Sequence, residues 1–487
     1  MRVKFILPAL TEAKSPYWRP IKYSLFPPLG LATLAAYLDP GDEAVLEDEH
    51  VMALETEQSY DLVVIQVYIT NAFRAYALAD HYRAKGAYVV LGGLHVTSLP
   101  LEAAPHADSL FIGPGEESFP RFLADWRAGK AEKSYVSKTR SLVDIPPIRR
   151  DLIQRSRYLV PNSIVVTRGC PHHCNFCYKD AFFEGGKGFY VQQVDQALAE
   201  IERLPGRHLY FLDDHLLGNA RFASALFDGL KGMNRVFQGA ATVDSILRGD
   251  LIEQAAAAGL RSLFVGFETL SEANLRASNK GQNLGQDYQR AISRLHDLGI
   301  MINGSFVFGL DHDGPDVFAR TVDWGVSQGL TTATYHILTP YPGTQLFQDL
   351  QAQGRILHRQ WDRYDTRQVV YQTKGLSPEQ LKSGYDWAYR SFYAWSNIAR
   401  SSRVHANLKH QAKHFFYTAG WKKFEPLWNF MIKHEQLSQM RPLLEGVLAR
   451  VTAARQPASS QPAPEQPTSP QSADETLAPL GSDRARL

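Results

Sequence analysis

The chain has 487 residues, with 52 basic and 50 acidic side chains, a formal net charge of +2 and a hydrophobic fraction of 44%. That length suggests about two or three domains, and the near-neutral balance argues against a nucleic-acid coat protein, so nucleic acid is not an expected partner. The longest apolar run, residues 29–38, falls well short of the ~18 residues that a membrane-spanning helix needs.

The opening Met1-Arg2-Val3-Lys4-Phe5-Ile6-Leu7-Pro8 reads as a first strand rather than a secretory leader, which implies a cytoplasmic location. Residues 3–7, 44–46, 62–67, 88–91 and 109–112 read as strands, with helical periods at 29–38 and 71–85 between them. This alternation predicts a doubly wound α/β domain over residues 1–143 with a largely parallel sheet. Gly92-Gly93 and Gly113-Pro114-Gly115-Glu116-Glu117 fall where strands end. Ligands bind at strand ends in open α/β sheets, and tight strand-to-helix connections are the alternative reading.

Residues 144–150, Asp-Ile-Pro-Pro-Ile-Arg-Arg, read as a linker. A second series of strands follows at 163–167, 208–212, 238–242, 262–267, 303–308 and 332–338. Helices at 191–204, 222–233, 251–258 and 286–298 separate them. The pattern predicts a full or partial (β/α)6 barrel over residues 155–375, with chemistry at the carboxyl ends of its strands. Residues 376–455 read as helical, and 456–487, rich in Pro, Ser, Gln and Ala, as a disordered tail.

All three cysteines of the chain, Cys170, Cys174 and Cys177, lie within eight residues directly after a predicted strand. Three sulfurs so spaced make no disulfide framework and agree with a reducing compartment. As thiolates they can each hold one iron of a [4Fe–4S] cube, leaving the fourth iron open to a ligand because no other cysteine exists. Zinc completed by His172 or His173 is the competing metal, although structural zinc sites usually draw on a distant second pair of ligands. A non-catalytic metal-binding module is the corresponding rival from another functional class.

Cys-x3-Cys-x2-Cys with an aromatic, Phe176, before the last cysteine resembles the radical S-adenosylmethionine (SAM) superfamily. The resemblance implies a [4Fe–4S] cluster on the three cysteines that binds S-adenosylmethionine and cleaves it to a 5′-deoxyadenosyl radical. It also implies an electron donor such as flavodoxin or ferredoxin. Phe211-Leu212-Asp213-Asp214-His215, Gly266-Phe267-Glu268-Thr269 and Gly304-Ser305-Phe306-Val307-Phe308-Gly309 follow in the order expected of that family. Phe176, Asp213, Asp214, Glu268 and Ser305 thereby become expected cofactor-binding residues; an N-cap for either aspartate and a surface charge for Glu268 are the plainer readings.

A doubly wound domain before such a barrel is similar to the cobalamin-binding subgroup of the superfamily, which includes hopanoid methylases and a cyclase of chlorophyll precursors. Its landmarks are matched by Phe26-Pro27-Pro28-Leu29-Gly30-Leu31 and by the two glycine turns. If cobalamin binds, the resemblance places Tyr68, Thr70, Gly92, Gly93, Gly113 and Gly115 along its edge. One departure stands out: Asp48-Glu49-His50-Val51-Met52-Ala53 approaches the cobalt-ligating Asp-x-His-x-x-Gly pattern but ends in alanine, so His50 reads as an ordinary loop histidine.

The expected reaction is C-methylation of an unactivated carbon in a bulky lipid, terpenoid or natural-product substrate. The alternative is radical oxidation, cyclisation or rearrangement without methyl transfer. Methylthiolation of tRNA would need a second three-cysteine cluster, for which the chain has no cysteines. Between residues 397 and 451, nine lysines or arginines and three glutamates are interleaved with aromatics such as Phe415, Phe416 and Trp428. That segment reads either as a helical cap on the barrel or as a peripheral contact with the inner face of a membrane. His405, His410, His414 and His434 read as surface residues.

Overall fold

The computed structural model describes residues 1–10 and 25–423. The first sheet contains β1 (Arg2–Leu7), β2 (Glu43–Asp48), β3 (Leu62–Gln66), β4 (Tyr88–Gly92), β5 (Ser109–Ile112) and β6 (Ser134–Val136). They lie in the order β2-β1-β3-β4-β5-β6, all parallel. Because both faces are covered, the strands read as nearly continuous apolar runs. The pleat sends Val3, Phe5, Leu62, Val64 and Val90 into one core layer. It sends Ile6, Val63, Ile65, Val89 and Leu91 into the other. The reversal of strand order between β1 and β3 opens a crevice at the carboxyl ends, where this class of sheet binds ligands. β6, a three-residue edge strand, was too short to show in the sequence pattern.

Residues 144–158 do more than connect. Ile148, Leu152, Ile153 and Tyr158 pack against the first layer, and the Tyr158 hydroxyl donates to Asp48 Oδ2 at 3.0 Å.

The predicted strand at 163–167 is divided in the structure. β7 (Ser163–Ile164) joins the second sheet, while β8 (Thr167–Gly169) pairs antiparallel with β9 (Phe189–Val191). Asp213 causes the break, its Oδ1 accepting the backbone N–H groups of Val166, at 3.1 Å, and Thr167 in place of a continuing ladder. The second sheet continues with β10 (His208–Phe211), β11 (Val236–Ala241), β12 (Leu260–Glu268), β13 (Met301–Phe308) and β14 (Thr332–Ile337). Its order is β14-β13-β12-β11-β10-β7, all parallel, and β14 and β7 do not pair, so the six strands form an open sheet. The fold is therefore α/β with two parallel sheets.

After the second sheet come helices Pro378–Phe392, Trp395–Ser402 and Leu408–Lys423. Tyr417 packs on Val236 and Met301 at the amino ends of β11 and β13, and the Thr418 hydroxyl donates to Thr331 O at 2.6 Å. The described part of this region thus packs as a helical cap against the amino ends of the second sheet. His414 is not a surface residue as expected: it is 3% exposed, with Nε2 3.2 Å from Ser401 Oγ and Nδ1 3.0 Å from His405 Nε2. The remainder of the basic-aromatic segment, Trp428 and His434 included, and the predicted tail lie outside the described residues. Among the described residues no helix is long and apolar enough to cross a membrane.

The segment after β14 reaches back to the first domain through Trp361, whose indole N–H lies 3.0 Å from both carboxylate oxygens of Glu102. His95 Nε2 lies 2.9 Å from the same carboxylate, and the Tyr76 hydroxyl donates to it at 3.1 Å. Burial alone would raise the Glu102 carboxyl, but these hydrogen bonds outweigh it and hold it below the usual carboxylate range. Its stabilisation is then complete above the unfolded value of about 4.3 and disappears as pH falls through the depressed folded value. Glu102→Gln should lower unfolding free energy at neutral pH by about 1 kcal/mol, allowing for solvent screening of this half-exposed group. In denaturant titrations the difference from the parent should vanish in acid.

Candidate active site at the cysteine loop

β8 ends on Gly169, where φ is +73° and a Cβ would fall 2.0 Å from Gly188 O, so only glycine fits. The chain turns there into the loop from Cys170 to Cys177 and enters helix Tyr178–Phe182. The loop is anchored mostly by the segment after β12. Asn175 N donates to Ser278 O (3.2 Å) and Asn175 Nδ2 to Ala277 O (3.0 Å). Asn279 Nδ2 donates to His173 O at 2.6 Å, and Gln282 Nε2 to Cys174 Sγ at 3.5 Å. Cys174 is buried, and Cys170 and Cys177 are half-buried.

Two buried ammonium groups flank the sulfurs. Lys179 donates to His172 O and sits 3.0 Å from Asp180 Oδ1. Lys280 lies 2.9 Å from Glu268 Oε1. Burial pushes the Cys177 thiol up to about 12 and raises Cys170 as well, with Lys179 pulling both in the opposite direction. Burial opposes the charge on Lys280, yet the Glu268 carboxylate, with Cys174, keeps it protonated and raises its pKa.

Among the described residues no three His, Cys, Asp or Glu side chains are placed to hold a single metal ion. His172 and His173, the candidate fourth ligands of a zinc site, face Asp244 (4.0 Å) and Asp180 (3.1 Å).

The other expected site residues are dispersed. Phe176 packs against the cluster of Val307, Leu310, Leu338, Leu350 and Tyr371 beyond the ends of β13 and β14. Glu268 closes β12 at a bulge, with φ of +64°, a strained backbone of the kind found at functional sites. Asn283 Nδ2 braces the bulge by donating to Gly266 O (2.9 Å) and Phe267 O (3.1 Å). Ser305 is buried mid-strand in register with Gly266 and Thr334. Asp213 is neither an N-cap nor a surface charge. It braces the split strand, and burial lifts its carboxyl to about 6 despite the amide hydrogen bonds. Asp214 accepts the Tyr178 hydroxyl at 2.9 Å.

A cavity of 330 Å³ separates this loop from the first sheet; Gly92, Gly93, Gly113 and Gly115 line one side, Arg168 and Asp214 the other. Tyr68 also lines it, whereas Thr70 lines an adjoining cavity. At Gly93, φ is +117° and a Cβ would come within 2.7 Å of Val67 O. His50 lies in the turn after β2, as a loop histidine should, but it is buried there, with Nδ1 2.7 Å from Asp48 Oδ1.

Lys280, Gln282, Asn283 and Arg168 escaped the sequence reading, since no spacing rule links them to the cysteines. Arg168 is the most consequential. Its guanidinium donates to Glu116 Oε1 at 2.8 and 3.1 Å, joining the cysteine loop to the glycine turn of the first sheet. Glu116→Gln should cost about 1–3 kcal/mol in equilibrium unfolding, because it leaves the half-buried guanidinium without its counter-charge. Glu116→Gln/Arg168→Met should recover much of that loss.

The radical SAM superfamily model matches residues 164–325. The chain is similar to bacteriochlorophyllide d C-12(1)-methyltransferase of Chlorobaculum tepidum, with 29% identity over 354 residues, 70% of this chain and 76% of the relative. It is similar to the C-8(2)-methyltransferase of the same organism, with 28% identity over 395 residues, 76% of this chain and 86% of the relative. Among solved structures, the cobalamin-dependent S-adenosylmethionine radical enzyme OxsB with aqua-cobalamin bound shares the fold, with a TM-score of 0.62 at 16% identity, covering 93% of this chain and 78% of that one. Residues 164–325 are therefore a radical SAM superfamily domain, and the chain as a whole is similar to enzymes named as methyltransferases.

Proposed function

We propose that this enzyme methylates an unactivated carbon of a bulky, largely apolar substrate, using cobalamin together with S-adenosylmethionine and a [4Fe–4S] cluster. The observation that carries the reading is the cavity between the two sheets, bounded by a glycine ledge on one side and by the cysteine loop on the other. The residues present fit both groups. Buried sulfurs beside Lys179 and Lys280 suit an anionic cluster. The glycine ledge continues into an apolar recess lined by Leu34, Val64, Val90, Phe111 and Phe119, a shape suited to a flat macrocycle with an appended tail. At Gly92 and Gly115 a Cβ would meet Phe111 and Leu34 at 3.0 and 3.1 Å, so larger residues would crowd the recess.

When bound, the cluster and S-adenosylmethionine supply a 5′-deoxyadenosyl radical, and cobalamin supplies a transferable methyl group. Cys170, Cys174 and Cys177 hold the cluster in this reading. Lys280 and Glu268 would offer a positive and a negative group to the zwitterionic methionine end of S-adenosylmethionine, and Phe176 would help to exclude water there. Asp214 and Tyr178 border the space toward the glycine ledge. A flavodoxin- or ferredoxin-type donor and a reducing, cytoplasmic setting belong to the same reading, which the confinement of every cysteine to this loop supports. Two relatives named as methyltransferases favour methyl transfer over the non-methylating alternative.

The anaerobically reconstituted enzyme should release 5′-deoxyadenosine, and product mass should rise by one CH2 unit. Changing any one of the three cysteines to Ala should abolish 5′-deoxyadenosine formation. Retained cleavage would refute the cluster assignment, and a product two hydrogens lighter would move the enzyme to oxidation.

A further inference from the structure

Helix Leu408–Lys423 lies on the second sheet with polar side chains turned inward. His414 and Thr418 are buried, and both are tied down, His414 to Ser401 and Thr418 to Thr331 O. The outward side carries large hydrophobes instead: Leu408 is 79% exposed and Phe416 72%. Leu408, Ala412 and Phe416 stand four residues apart, all exposed, and so share one face of the helix. Phe415 broadens that face, edge-on to Phe416 at 5.7 Å and stacked with Trp395 at 6.0 Å. A surface helix usually turns its apolar stripe to the core, and a contiguous stripe turned to water marks a contact site. We propose that this stripe docks on the surface of a bilayer that contains anionic lipid.

The charge around the stripe selects the partner. From residue 387 to residue 424 the sequence holds seven lysines or arginines and no carboxylate. Some of these cations are engaged within the protein. Arg400 reaches Asp323 at 2.9 Å, and Lys422 lies over the rings of Tyr389 and Tyr393. Lys413 is half-buried, and burial pulls its pKa down to about 7. Arg403 and Lys409 are exposed, one just before the helix and the other directly after Leu408. Their aliphatic stems can lie along the apolar stripe while the charged heads meet lipid phosphates.

Leucine and aromatic side chains bordered by charge of one sign are the pattern of helices that lie in the membrane interface. The helix has 16 residues, fewer than a span needs, and among the described residues no helix is long and apolar enough to cross a membrane. The contact is therefore peripheral, made by a rigid helix that is already anchored to the sheet through His414, Tyr417 and Thr418. It stands independently of the radical-methylase reading.

The test is co-sedimentation of the full chain with vesicles of phosphatidylcholine, alone or mixed with phosphatidylglycerol. Partitioning onto the mixed vesicles should be about tenfold or more stronger than onto phosphatidylcholine, and should weaken as salt rises. Phe416→Glu should weaken it about tenfold, and Leu408→Glu, an acid that the first turn of a helix tolerates, should do the same. Arg403→Gln and Lys409→Gln should each cost about fivefold on mixed vesicles and leave phosphatidylcholine unchanged. Equal partitioning onto the two vesicle types overturns the proposal. So does undiminished partitioning of a Phe416→Glu or Leu408→Glu protein whose circular dichroism matches the parent. If the stripe is instead covered by residues 424–487 or by a second copy of the chain, the parent stays in the supernatant with both vesicle types. Phe416→Glu then shifts only the melting temperature or the elution volume, and that outcome also overturns the proposal.

Discussion

Arg168 stands two residues before Cys170, and its guanidinium is fixed in the carboxylate of Glu116. Glu117, the next residue, faces the other way: its Oε2 takes the Ser137 hydroxyl and the backbone amides of Lys138, Thr139 and Arg140. Arg140 in turn donates to the carbonyls of Phe183, Glu184 and Lys187 beyond the cysteine loop. The turn Gly113-Pro114-Gly115-Glu116-Glu117 is thereby tied to the chain on both sides of the three cysteines. Neither the glycine ledge nor the cysteine loop can shift without the other. Chemistry that depends on two cofactors meeting at one substrate carbon needs that spacing fixed, since misplacement by about 1 Å can cost two orders of magnitude in rate.

The same economy governs charge. Buried thiols resist ionisation, as the raised Cys170 and Cys177 show, so an anionic cluster in this position needs nearby cations that do not leave with solvent. Lys179 and Lys280 are 2% and 6% exposed, and each is held by a carboxylate of its own. At the amino ends of β11 and β13, the described part of the C-terminal helices packs against the second sheet. The two sheets are joined instead by the 144–158 segment, the Glu116–Arg168 pair and the Trp361–Glu102 contact.

Much of this was legible in the residues alone. Apolar runs bounded by turn residues located the two strand series, because strands buried on both faces leave that signature. The cysteine spacing located the loop. What escaped had physical reasons. A three-residue edge strand such as β6 has no periodicity to read. The strand at 163–167 was misjudged because its division is enforced by Asp213, forty-six residues away from Thr167. Lys280 and Arg168 act through tertiary contacts that no local pattern encodes. His414 looked like a solvated histidine in a basic segment, and its burial depends on how Leu408–Lys423 sits against Ser401. His50 was set aside for want of a glycine, although its pairing with Asp48 needs only two residues of spacing.

The most direct test of a cobalamin methylase built on this interdomain cleft is metal stoichiometry after anaerobic reconstitution with iron, sulfide and hydroxocobalamin, followed by desalting. About four irons and one cobalt retained per chain is the predicted result. Iron without cobalt would contradict the cobalamin site and leave a radical enzyme whose first domain serves another purpose.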